Sequence, residues 1–142
     1  MAATILVVAF VGMIEAMLIG SQMMDHARRQ TLATQILNQE VESLRDASWS
    51  TVSSLPTASN TAVTIDSQFT TAIAASGATY SLTRYRTSPN PDTNLCEVNF
   101  TVTWTVKTSR RDAANNLLSF SYTRSTSAYY GKYGLNLTFQ RS

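Results

Sequence analysis

Residues 1–24 are almost wholly apolar, and the chain then runs on to residue 48 without a glycine or a proline. That combination favours one long helix. In the second part Leu32, Ile36, Leu37, Val41 and Leu44 recur at helical spacing and trace one face. Arg28, Arg29, Gln30, Gln35, Asn38, Gln39, Glu40, Glu42 and Arg45 lie mostly on the other face. The spacing predicts one continuous helix over residues 2–47, roughly 70 Å long at 1.5 Å per residue. Its first half is apolar all round and its second half carries a single apolar stripe. The second half is therefore expected to pack on a domain and the first half to project from it.

An apolar run of this length is enough to span a bilayer, which takes about 20 residues. One carboxylate, Glu15, sits in its middle. A cleavable signal peptide fits poorly. No basic residue precedes the run, it exceeds the usual h-region of about 7–15 residues, and no A-x-A pattern closes it. The chain is expected to begin at the apolar segment itself, as a natural N-terminus or after removal of a leader. An ordinary signal anchor is the plain alternative.

The 142 residues allow one domain besides this helix, and residues beyond 24 suffice for a modest core. The formal charge is only +2, but the part from Tyr80 onward holds eight basic and three acidic residues. Arg84, Arg86, Arg110, Arg111 and Arg124 offer a surface for nucleic acid or another acidic polymer. Tyr80, Tyr85, Tyr122, Tyr129, Tyr130 and Tyr133 are stacking candidates, with strand packing the preferred reading.

Cys96 is the only cysteine, so no intrachain disulfide is possible. It reads as a small buried residue, and the only histidine, His26, is expected far from it. There is no phosphate-binding glycine loop, metal-ligand cluster, nucleophile elbow or haem attachment motif. Neither an enzyme nor a cofactor is expected.

Residues 49–60, rich in Ser and Thr around Pro56, read as a loop. Val63 and Ile65 mark a short strand. Asp66 or Ser67 then caps a short helix through Ala75, with Phe69, Ile73 and Ala74 inward and Gly77 ending it. From Ala78 the period becomes two, beginning with Tyr80 and Leu82. Residues 89–92 are a turn. Val98, Phe100, Val102, Trp104 and Val106 then alternate strictly with Asn99, Thr101, Thr103, Thr105 and Lys107. That pattern predicts an antiparallel strand with one face on a core and one in water. A polar connection over 108–116 leads to a strand at Leu118, Phe120 and Tyr122. A turn at 131–134 precedes a last strand at Leu135, Leu137 and Phe139. The outward hydroxyls offer sites for O-glycosylation, and Asn99-Phe-Thr and Asn136-Leu-Thr match the N-glycosylation sequon.

The expected class is α+β: a long N-terminal helix, half projecting and half packed on an antiparallel sheet of about four strands. The expected organisation is an apolar half-helix over 1–24, an amphipathic half-helix over 25–48 and a sheet head over 49–142.

This layout resembles the type IV pilins and the pseudopilins of type II secretion. Leu6-Val-Val-Ala-Phe-Val-Gly-Met-Ile-Glu-Ala-Met-Leu-Ile-Gly20 is similar to the family's apolar half-helix, and residues 28–45 to the second half-helix of minor pilins. Gly12 and Gly20 resemble the paired positions between which many pilin helices loosen inside filaments. Two departures stand out. The family usually has glutamate at the fifth mature position, where this chain has Ile5, and often a C-terminal disulfide loop, which one cysteine cannot make.

The resemblance implies a structural filament subunit. It would sit in the inner (cytoplasmic) membrane before assembly and then bundle with copies of itself into an extracellular filament. Alternatives are a minor or tip pseudopilin, or a membrane-anchored module that binds DNA or acidic polymers. A charge at bilayer centre costs about 2.5–3.5 kcal/mol, which marks Glu15 as a functional residue. Its expected partner is a cation of an adjacent subunit, either the Met1 amine or Arg28/Arg29.

Overall fold

Helix α1 (Ala2–Arg45) is unbroken over 44 residues and runs straight through Gly12 and Gly20. The computed structural model describes residues 2–87 and 94–133, with the side chains of residues 2–6, 8 and 109 outside that description. The helix closes with Asp46 and Ala47 amides bonded back to the Glu42 and Leu44 carbonyls. It is followed by α2 (Trp49–Ser53), β1 (Ala62–Val63), a 3-10 turn at Ser67–Phe69, α3 (Thr70–Ser76), β2 (Ala78–Thr87), β3 (Leu95–Arg111) and β4 (Leu117–Gly131).

The strands form one antiparallel sheet in the order β1-β2-β3-β4. The protein is thus α+β, with the second half of a long N-terminal helix lying on an antiparallel sheet.

Alternation along the strands decides what the helix meets. Cys96, Val98, Phe100, Val102 and Trp104 of β3 are buried, as are Tyr80 and Leu82 of β2 and Tyr130 of β4. From the helix come Leu32, Ala33, Ile36, Leu37 and Leu44. The predicted stripe is therefore the buried one, with Val41 half-buried at its edge. Ala33 is fully buried too, and its lack of bulk lets the helix approach the sheet closely. The opposite face of the sheet is hydroxylated. Thr101, Thr103 and Thr105 of β3 share hydrogen bonds with Ser125, Thr123 and Ser121 of β4 at 3.0, 3.3 and 2.9 Å.

Several sequence expectations need correction. Part of the predicted loop at 49–60 is helix α2, because Ser48 Oγ accepts from the Thr51 amide while Val52 is buried in the core. The first part of the polar stretch at 108–116 is strand. β3 continues to Arg111 through an irregularity after Lys107, β4 begins at Leu117, and only residues 112–116 turn. That turn is closed by Asp112, whose Oδ1 accepts from the Ala114 and Asn116 amides, with Asn115 at φ 65°. β4 also runs well past Thr123, since its Ser/Thr-rich part pairs with β3 along its length. Ala74 is exposed, while Phe69 and Ile73 do pack on the core. Asp66 caps the 3-10 turn and Gly77, at φ 63°, ends α3 as expected. The predicted turn at 89–92 and the last strand at 135–139 lie outside the described residues.

Candidate assembly surface

Every position of α1 from residue 9 to 28 is exposed. Phe10, Met13, Met17 and Met23 are 64–72% exposed, and Val11, Ile14, Leu18, Ile19 and Met24 are exposed as well. The nearest buried helix residue is Leu32. An apolar surface this large, all round a helix, exceeds what a monomer ordinarily leaves in water. Among the described residues no helical stretch is long and apolar enough to cross a membrane by itself. The part from residue 9 to 24 falls short of the roughly 20 residues required. The expected span therefore depends on the apolar sequence of residues 2–8, whose side chains are mostly outside the description.

Glu15 is exposed on this rod and has no ionic partner among the described residues. A Cβ added at Gly12 or Gly20 would meet nothing, so neither glycine serves packing within the chain. Met1 lies outside the described residues.

Arg28 and Arg29, adjacent in sequence, have different situations. Arg29 is half-buried, and its Nε donates to the Ser76 carbonyl at 3.0 Å, at the C-terminal end of α3. The Tyr80 hydroxyl donates to the Arg29 carbonyl at 3.4 Å. Arg29 thus clamps α1 to α3 and β2. Arg28 is exposed, has no side-chain partner among the described residues, and borders an open groove of about 530 Å³ between α1 and α3. Met24, Ala27, Thr31, Leu32, Ala72 and Ala75 complete most of that groove. The sequence reading missed it, although Ala27 with Thr31 and Ala72 with Ala75 are small residues at helical spacing.

The arginines expected to bind acidic polymers do not form one free face. Arg84 and Arg86 share the inward parity of Tyr80 and Leu82 on β2. Arg84 makes a part-buried ion pair with Glu40 of α1. Arg86 lies beside Cys96, where burial pushes the thiol pKa up and the nearby guanidinium opposes the shift. Arg110 and Arg111 sit at the β3–β4 hairpin end, where Arg111 Nη1 donates to the Asn115 carbonyl at 2.7 Å. Arg124 stands apart, paired in register with Val102.

Three of the six tyrosines are packing residues. Tyr80, Trp104 and Tyr122 stack in register across β2, β3 and β4 at 6.3 and 5.6 Å, and His26 of α1 meets Tyr122 edge-on at 5.4 Å. Asn99 is mid-strand, and its Nδ2 donates to Thr87 Oγ1 at 3.1 Å, an engaged position for a glycan acceptor. Asn136 lies outside the described residues. Cys96 is buried and free. No group of three or more His, Cys, Asp or Glu residues suited to a metal occurs among the described residues.

No family model, curated protein or solved structure matches the chain.

Tyr130 seals the other end of the helix–sheet contact. Its hydroxyl donates to the Val41 carbonyl at 3.0 Å, and burial pushes its pKa from 10.0 up to about 12. The folded state holds the neutral phenol. Its stabilising contribution is complete below pH 10.0 and is lost as the pH climbs through about 12. Tyr130→Phe is expected to cost about 1 kcal/mol at neutral pH through the lost hydrogen bond. It should also flatten the alkaline decline, as measured by urea unfolding below pH 10.0 and near pH 12. Parallel declines in both proteins would mean that this phenol does not titrate with unfolding.

Proposed function

We propose that the chain is a structural subunit of an extracellular type IV pilus-like filament. Its apolar half-helix lies in the membrane before assembly and is covered by copies of the same chain afterwards. The observation that carries this reading is the projecting half of α1, an apolar rod attached to a head whose core is complete without it. Burying about 1,000 Å² of such a rod is worth roughly 25 kcal/mol before the costs of association. No covalent staple is then needed. The hydroxylated outer face of the sheet suits a wet exterior. The binding-module alternative has less support, because Arg84 and Arg111 are engaged inside the chain.

Electron microscopy of filaments sheared from the native cell surface, with mass spectrometry of the same fraction, tests the proposal. Thin filaments composed mainly of this chain are expected. Trace amounts in filaments made of another subunit would indicate a minor or tip component. A chain confined to the membrane fraction would defeat the filament reading.

A further inference from the structure

Resting on the filament reading, we infer that the groove between α1 and α3 receives the apolar half-helix of a second copy in parallel, with Glu15 of that copy paired to Arg28. Both groups lack a side-chain partner within their own chain among the described residues, whereas neighbouring Arg29 is already held by Ser76. Opposite charges left unmatched, one on an apolar rod and one on the rim of an apolar groove, are complementary across copies.

The register supports the match beyond this one pair. Glu15 and Arg28 are thirteen positions apart, roughly 20 Å along a helix. The same parallel offset sets Val11 beside Met24, Leu18 beside Thr31, Ile19 beside Leu32 and Gln22 beside Gln35. Met24, Thr31, Leu32 and Gln35 all line the groove. Apolar residues meet apolar or small ones, and amide meets amide. On the incoming helix Gly12 lies one turn from Glu15 with open space where a Cβ would be, so the backbones can come close. On the receiving side the alanines at 27, 72 and 75 leave the groove open. A parallel, staggered contact uses two different surfaces and repeats without closing, which builds a filament and not a closed dimer.

Charge reversal and cysteine pairing test this contact in the full chain assembling from its native membrane. Glu15→Arg or Arg28→Glu alone should lower filament yield about tenfold or more, because each leaves like charges facing at a desolvated site. The double reversal should restore the yield to within about twofold of the original. A chain carrying Leu18→Cys, Thr31→Cys and Cys96→Ala should oxidise into a ladder of covalent multimers, while either new cysteine alone should give none. This second readout remains decisive if a reversed charge stops insertion in the membrane. Normal yield from both single reversals, or filaments that form without the ladder, would overturn the docking while sparing the filament reading. Dimers from Leu18→Cys with Asp25→Cys, and no ladder, would mean an antiparallel contact and would also overturn it. Failure of the unaltered chain to enter any filament would overturn both.

Discussion

A chain lacking residues 1–24 is expected to sediment as a monomer and to melt within a few degrees of the full protein. The buried cluster begins at Leu32 on the helix and takes everything else from α2, the sheet and residue 55, so removing the rod removes no core contact. Arg29 and its bond to Ser76 stay in place, as does the stack of Tyr80, Trp104 and Tyr122. What disappears is an apolar surface far larger than a monomer ordinarily exposes. Sedimentation velocity and thermal unfolding followed by tryptophan fluorescence, from Trp49 and Trp104, would check both halves of the expectation. A truncated chain that remains oligomeric would locate self-association in the head. One that unfolds would show that the rod supports the head, against the contacts described.

Phe100→Ala is expected to be the most damaging single change in the head, at about 3–5 kcal/mol. Phe100 is fully buried on the central strand, between Val98 and Val102, which are fully buried as well. In register it stands beside Arg84 and Thr126, so neither flanking strand has a large apolar group ready to fill the space. For a domain of this size the loss lowers the melting temperature by on the order of 10 °C. Its neighbour Thr103, on the water-facing side of the same strand, offers the comparison. Thr103→Ala removes a 3.3 Å hydroxyl contact to Thr123 and should cost under about 1 kcal/mol. Chemical denaturation of the three proteins would measure this, and similar losses at 100 and 103 would contradict the two-faced sheet.

The two faces and the helix stripe were legible because each depends on a short period along the chain. Leu32, Ile36, Leu37 and Leu44 repeat at helical spacing and are buried. Val98 to Trp104 repeat at two and are buried. Ala33 adds little to an apolar pattern because it is small, yet it is fully buried. The hairpin joining β3 and β4 is longer than its composition suggests for a related reason. Thr108, Arg110 and Arg111 look like a connection, but ladder bonding to a partner strand does not depend on apolar side chains. The Ser/Thr-rich part of β4 pairs with β3 on the same grounds.

The assignments that failed or stayed open concern charges. Arg84 looks like any surface arginine until Glu40, 44 positions away in sequence, is brought against it. Arg28 and Arg29 are interchangeable as neighbours on a helix. A rotation of about 100° per residue places one against the Ser76 carbonyl and leaves the other on a groove rim.

The sequence by itself determined the long helix, its division into an apolar and a one-sided half, the stop at Gly77, and the inner and outer faces of β3. These follow from local periodicity and local backbone preference, which need no knowledge of distant residues. Only the tertiary structure decided which cations are paired, that α3 and α1 leave a groove between them, and that Tyr130 reaches the Val41 carbonyl across 89 positions of chain. Such contacts depend on how elements settle against one another, and packing brings together groups that no local pattern relates.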